Sequence, residues 1–254
     1  MIRGIYTAAS GMVSNFRRQS IVTNNLANVS TTGYKQDVTA SSDFSNMLMI
    51  KEAAAARPSS KPWESIGTLG AGTELGEIQL DQSQGDLAET GNALDLALNG
   101  PGYFAIQTPA GTYYTRDGSF YRDPTGLLAR ADGGLLLGEN GPIQVGEGNI
   151  VVDGDGTVSV DGQVAGRIRT VEFGPQDRLL KIGSNYVAPE NANVQPQAAQ
   201  GTAISQGFLE RSNVDVTRAM VEMMSAMRSY EASQRMVQLQ DQTLDRAVND
   251  VGKV

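Results

Sequence analysis

Where glycine and proline fall decides most of what this chain can become. All nine prolines lie between Pro58 and Pro196, and 24 of the 29 glycines lie between Gly67 and Gly201. Both residues break helices, by a missing donor and fixed φ in one case and by backbone freedom in the other. A long helix is therefore excluded from the centre and permitted at either end. The 254 residues are enough for one large domain or two ordinary ones with a core.

Both ends carry a seven-residue apolar repeat. At the N-terminus Ile2, Ala9, Phe16 and Thr23 form one set and Ile5, Met12, Gln19 and Leu26 a second, with Ile21 and Val22 widening the stripe. The pattern predicts a helix over 3–28. At the C-terminus Met223, Tyr230, Val237, Leu244 and Val251 interleave with Met220, Met227, Gln234, Asp241 and Val248. That reads as an a/d seam with two polar interruptions on a helix over 214–250, opened by the capping residues of Ser212-Asn213-Val214-Asp215. Five of the nine methionines lie between Met220 and Met236. They suit either ordinary core filling or an adaptable surface for several neighbours.

The middle reads differently. "LDLALNGPGYFAIQ" alternates Leu94, Leu96 and Leu98, turns at Asn99–Gly102 and resumes at Tyr103, Phe104 and Ile106, a hairpin pattern. Turn signals follow at Asp117-Gly118, Asp123–Gly126 and Asp132–Gly134, and "NIVVDGDGTVSVDGQVAG" adds short strands between Asp-Gly turns. Such spacing predicts a small all-β domain over 85–200. Residues 36–84 lack a regular pattern and read as a linker, with "KEAAAARPSSKPWES" a brief helix former ending in a Pro/Ser stretch. The expected organisation is 1–35 helix and turn, 36–84 irregular linker, 85–200 β-rich domain, and 201–254 C-terminal helix.

Several functions are excluded or unsupported. The chain has no Cys and no His, which removes thiol nucleophiles, zinc sites with N or S ligands and histidine relays. Its net charge is −8, with the acid excess concentrated between residues 37 and 209. An acidic body opposes general nucleic-acid binding. Counted from Asp153, the calcium-loop positions that need Gly and Glu hold Val158 and Val164, so Asp153–Asp161 reads as a β-turn. The Gly70–Gly76 run misses the dinucleotide fingerprint by one residue, and no P-loop occurs. No apolar run is long enough to span a bilayer, and Arg17 and Arg18 interrupt any secretory h-region. No catalytic residue, cofactor, metal or small-molecule substrate is indicated. Trp63, Tyr103, Phe104, Tyr113, Tyr114, Phe120 and Tyr121 are the candidates for an aromatic carbohydrate platform, although most alternate as core strands do. A glycan hydrolase would need a matched carboxylate pair, which nothing points to.

Neither terminal helix buries its seam alone, because long helices draw most of their stability from packing. The expected fold is α+β: the two helices pack as a coiled-coil-like stalk with an all-β domain inserted between them. Head-to-tail repetition of such a stalk generates a ring or a filament.

Three stretches resemble one family. "TAASGM…TNNLANVSTTGYK" is similar to the N-terminal signature of the axial proteins of the bacterial flagellum, the rod and hook family. "LDLALNGPGYFAIQ…YYTRDGSF…DPTGLL" resembles the start of that family's β domain, and "GFLERSNVDVTRAMVEMMSAMRSYEASQRM" its C-terminal signature. The length is too short for a hook protein and too long for rod proteins without a β domain. "GIYTAASGM", "GENGPIQVGEGNI" and "GFLERSNVD" look more like the proximal than the distal rod type. The resemblance implies a drive-shaft subunit of the basal body, assembling helically with itself and with other rod and hook proteins. It also implies delivery by the flagellar type III export apparatus without a cleaved signal. The expected assembly interface comprises Ile5, Met12, Leu26, Asn24, Asn25, Asn28, Met220, Met223, Met227, Tyr230, Val237 and Leu244. The asparagines should end the first helix and could also bridge adjacent subunits, with Gly33 allowing the reversal.

Overall fold

The computed structural model describes residues 2–52, 63–174, 177–191 and 194–249. The architecture is α+β, with a helix at each end and a β-rich centre. The chain forms two compact units: Met1–Asn24, Val38–Ile78 and Thr217–Val254 make the first, Asn25–Asp37 and Gln79–Val216 the second.

The first unit is built on α1 (Ile2–Ala27) and α2 (Val216–Asn249), of 26 and 34 residues, about 39 and 51 Å long. Gly4 faces Gln240 and Gly11 faces Ser233. The rings of Phe16 and Tyr230 lie 6.5 Å apart, and the Thr23 hydroxyl donates to the Met223 sulfur at 3.9 Å. As the α1 number rises the α2 number falls, so the helices run antiparallel. One repeat from each helix faces inward: Ile5, Met12, Gln19 and Leu26 on α1, and Met223, Tyr230, Val237 and Leu244 on α2, are half-buried. The companion positions differ from expectation. Ala8 and Val22 are buried on α1 and Ala219 and Ala226 on α2, while Phe16, Met220 and Met227 are exposed. Small residues at these positions let two helix backbones approach.

The same unit contains most of β1 (Asp37–Glu52) and β2 (Trp63–Leu80), which pair as a two-stranded sheet. Much of the stretch read as irregular linker is thus extended strand. The brief helix and Pro/Ser stretch expected after Lys51 fall mostly at 53–62, outside the described residues.

The second unit holds the shorter strands. Among them are β3 (Leu87–Glu89), β4 (Leu96–Asn99), β5 (Tyr103–Thr108) and β6 (Gly111–Thr115). β5 lies between β6 and Leu135–Gly138 in the largest sheet. Its alternate residues serve two cores: Phe104 and Ile106 join Leu96, Leu98 and Leu136, whereas Tyr103 and Ala105 join Val171 and Phe173. Burial on both faces explains why "YFAI" is continuously apolar rather than alternating. Tyr103, Phe104, Tyr114 and Phe120 are buried, so these four form core and not a sugar-binding platform. Asp153–Thr157 is a turn closed by Asp153 N–H to Thr157 C=O at 3.0 Å and Gly156 N–H to Asp153 C=O at 2.9 Å.

The unit does not stop at residue 200. Ala203–Gln206 pairs antiparallel with β4, and Phe208–Glu210 pairs with β3. A fragment spanning 25–216 should therefore melt cooperatively in circular dichroism. A fragment spanning 85–200 should not, because Leu96 and Leu98 lose their partner strand and the edge is left open. A cooperative transition in the shorter fragment would show that these closing strands are dispensable.

Candidate assembly interface and its anchor

The outward faces of the two helices carry large apolar side chains. Tyr6, Val13 and Phe16 are exposed on α1, Phe16 to 61%. On α2 Met220, Met224 and Met227, at i, i+4 and i+7, form one stripe, with Met220 47% and Met227 44% exposed. Methionine stripes of this kind suit a surface that adapts to several partners. The expected interface residues thus divide. Met220, Met227 and Asn24 are exposed, whereas Ile5, Met12, Met223, Tyr230, Val237 and Leu244 are half-buried in their own unit, as are Leu26 and Asn28.

Asn25 has a different task. It is buried, its amide donates to the Asp37 carbonyl at 2.9 Å, and its Oδ1 accepts from Asp37 N–H at 2.9 Å and from the Tyr34 hydroxyl at 3.0 Å. Both sides of the amide are engaged within the chain, so Asn25 is not free to bridge a neighbour. The Asn28 Oδ1 accepts from Thr31 at 3.2 Å and helps turn the chain after α1.

That turn delivers "TTGYK" into the interior of the second unit. Thr32 donates to the Asp117 carboxylate at 2.9 Å, Asn185 donates to the Thr32 carbonyl at 2.8 Å, and Gly33 N–H donates to the Glu210 carbonyl at 2.8 Å. Gly33 has φ +64°, and a Cβ there would overlap the backbone of Arg116 and Asp117. The Asn213 Oδ1 accepts from Gln36 N–H at 2.8 Å while its amide donates to Asp81 and Ser83 at 3.1 Å. Asn213 is spent on this docking and not on capping α2, which begins three residues later; Asp215 stands immediately before it.

An ion cluster closes the arrangement. Lys35 Nζ lies 2.6 Å from Glu210 Oε1 and Arg116 donates to Glu210 Oε2 at 3.0 Å, with side-chain exposures of 3%, 3% and 0%. Lys35 also donates to the Ser83 carbonyl at 2.6 Å, Gly85 N–H to Glu210 Oε1 at 2.9 Å, and Arg116 to the Gly100 carbonyl at 2.7 Å. Burial pulls the Lys35 ammonium below its ordinary range, opposed by Glu210. The Arg116 guanidinium sits 5.4 Å from the Tyr103 ring centroid. Periodicity offered no sign of this cluster, since its members are lone charges far apart in the chain.

Tyr103 supplies a test of this interior. Its hydroxyl finds no hydrogen-bond partner among the described residues, and burial pushes its pKa from 10.0 up to about 12. The fold favours the neutral phenol, so this contribution is complete below pH 10 and is lost as pH rises towards 12. Tyr103→Phe should be within about 1 kcal/mol of wild type at pH 7. It should also lose less stability than wild type between pH 10 and 12. Lys35, with its depressed pKa, acts in the opposite sense, so the variant-minus-wild-type difference in urea midpoint is the readout. Parallel curves would contradict the assignment.

Three family models match the chain in order. They are described as flagella basal body rod protein over 5–35, flagellar hook protein FlgE/F/G D1 domain over 97–160, and flagellar basal body rod FlgEFG protein C-terminal over 205–250. The flagellar basal-body rod protein FlgG of Bacillus subtilis (strain 168) is 35% identical, over 98% of this chain and 99% of that protein. The chain belongs to the flagellar basal-body rod family. The flagellar hook-basal body complex protein FlhO of the same organism is 31% identical over the full length of both, and the rod protein FlgF of Mesorhizobium japonicum 28% identical over 98% and 97%. Relatives bearing the FlgG and FlgF names both match end to end, so the comparisons do not separate proximal from distal. The family is one of structural rod proteins of the basal body, not of enzymes, and associates with other rod and hook proteins. Each member of the ion cluster falls in a different matched segment: Lys35 in the first, Arg116 in the second and Glu210 in the third.

Proposed function

We propose that the chain works in the rod by pairing α1 with α2 as a coiled-coil-like stalk. The exposed faces of that stalk pack against copies of itself and against other axial proteins. The rod so formed transmits torque from motor to hook. The observation that carries this reading is the set of large apolar side chains left on the outer faces of the helices. Alanine and glycine occupy inner positions, while Tyr6, Phe16, Met220, Met224 and Met227 stand in solvent. Surfaces rich in large exposed apolar groups serve contacts with partners. We further assign the subunit to the proximal rod, on its three motifs, and its delivery to the type III export apparatus without signal cleavage, on the family resemblance. A processed N-terminus on chains recovered from basal bodies would contradict the last point.

The test uses Met220→Asp with Met227→Asp. Both side chains are exposed in the subunit, so the variant should keep the wild-type melting temperature and circular dichroism spectrum. In cells it should leave the rod incomplete, with hooks and filaments missing. Met223 and Tyr230 are less suitable targets, because they touch Thr23 and Phe16 of the same chain and would confuse folding with assembly. Normal motility of the Met220/Met227 variant would sink the reading.

A further inference from the structure

We propose that the Lys35–Glu210–Arg116 cluster makes the second unit fold in one step that waits for the segment 203–213, so that a chain in which this segment has not arrived stays open. Lys35 and Glu210 are 175 residues apart, and Arg116 and Glu210 are 94 apart. A compact state that covered Lys35 and Arg116 as the folded unit does, before Glu210 joined, would bury two cations without their anion. Lysine can escape by losing its proton, but arginine cannot. A premature core is thus opposed by charge, in addition to lacking two strands.

A second observation points the same way. The segment Thr31–Lys35, the N-terminal plug of this unit, docks on the backbone of the same residue, through Gly33 N–H to the Glu210 carbonyl at 2.8 Å. The strand holding Glu210 also closes β3, and its neighbour Ala203–Gln206 closes β4. Plug, cations and closing strands therefore share one late partner, and two long loops must close together. A chain is made from its N-terminus, and Lys35 and Arg116 both precede Glu210. The unit remains open until Glu210 has been made. This holds whatever the chain assembles with, and its failure would leave the rod reading intact.

Pulsed hydrogen exchange during refolding of the full chain from denaturant tests it. The amides of β5 and β6, of Gly33 and of Ile204 should gain protection in one phase with one rate constant. Glu210→Gln should slow that phase at least about tenfold, as expected when a step forms the altered contact. Lys35→Met with Arg116→Met and Glu210→Met removes every charge of the cluster and leaves no buried ion unpaired, and protection of β5 and β6 should then begin before that of Ile204. Early protection of β5 and β6 in the wild-type chain would overturn the proposal, as would a single unchanged phase in the triple variant. Should Glu210→Gln fail to refold, the wild-type and triple-variant phases decide alone.

Discussion

Glu210→Ala should cost the second unit about 3–5 kcal/mol, the range for removing one partner of a buried ion pair. Lys35 and Arg116 would then face each other at 3% exposure with no anion between them. Total stabilities of domains are about 5–15 kcal/mol, so the variant should unfold at much lower urea. Glu210→Gln should fall between the two, because an amide oxygen can still accept from Gly85 N–H. Replacing all three residues by methionine should recover much of the loss, since apolar groups of similar volume need no counter-charge. A change below about 1 kcal/mol for Glu210→Ala, the scale of a surface pair, would mean that water reaches the cluster.

Gly33→Ala should produce a loss of similar size by another route. An L side chain at φ +64° costs about 1 kcal/mol. The new Cβ would also meet the backbone of Arg116 and Asp117. That backbone cannot withdraw cheaply, because the Asp117 carboxylate is held by Thr32 at 2.9 Å, Ser119 at 2.7 Å and Arg130 at 2.9 Å. Gly133→Ala is the control: φ is +86° and nothing lies within 4 Å of its Cβ. Gly133→Ala should show the backbone cost alone, and the excess for Gly33→Ala, roughly 2 kcal/mol or more, measures the tightness of the plug. Equal losses in urea denaturation would show that the plug is loosely held.

Much of the architecture is legible in the sequence. The confinement of proline and glycine left both ends free for helices, the seven-residue repeats marked those helices to within one or two residues, and the Asp-Gly turns marked the β-rich centre. Three things escaped. The inner helix positions were missed because a heptad reading seeks large apolar residues, whereas closely approaching helices select Ala8, Gly11, Ala219 and Ala226. The strands Asp37–Glu52 and Trp63–Leu80 were missed because Ser, Thr and Gly interrupt their alternation. The closing strands after residue 200 were missed because a short strand running into a helix carries little pattern of its own. The ion cluster left one trace: "TGYK", "TRDG" and "LERS" each set a charge beside apolar or turn residues in a motif stretch. Which charge meets which is a property of the tertiary fold, and no local pattern encodes it.

The absence of cysteine in this chain opens a direct route to the central claim, that the outer helix faces are covered in the rod. A single Met227→Cys substitution gives one thiol on the exposed stripe, and Val164→Cys gives one on a solvent-facing strand of the second unit. Maleimide labelling should modify both in the free subunit. In isolated basal bodies the thiol at 227 should be protected, and should crosslink to a second axial subunit under oxidising conditions. Equal labelling at 227 in the free subunit and in the basal body would show that this face is not an assembly surface.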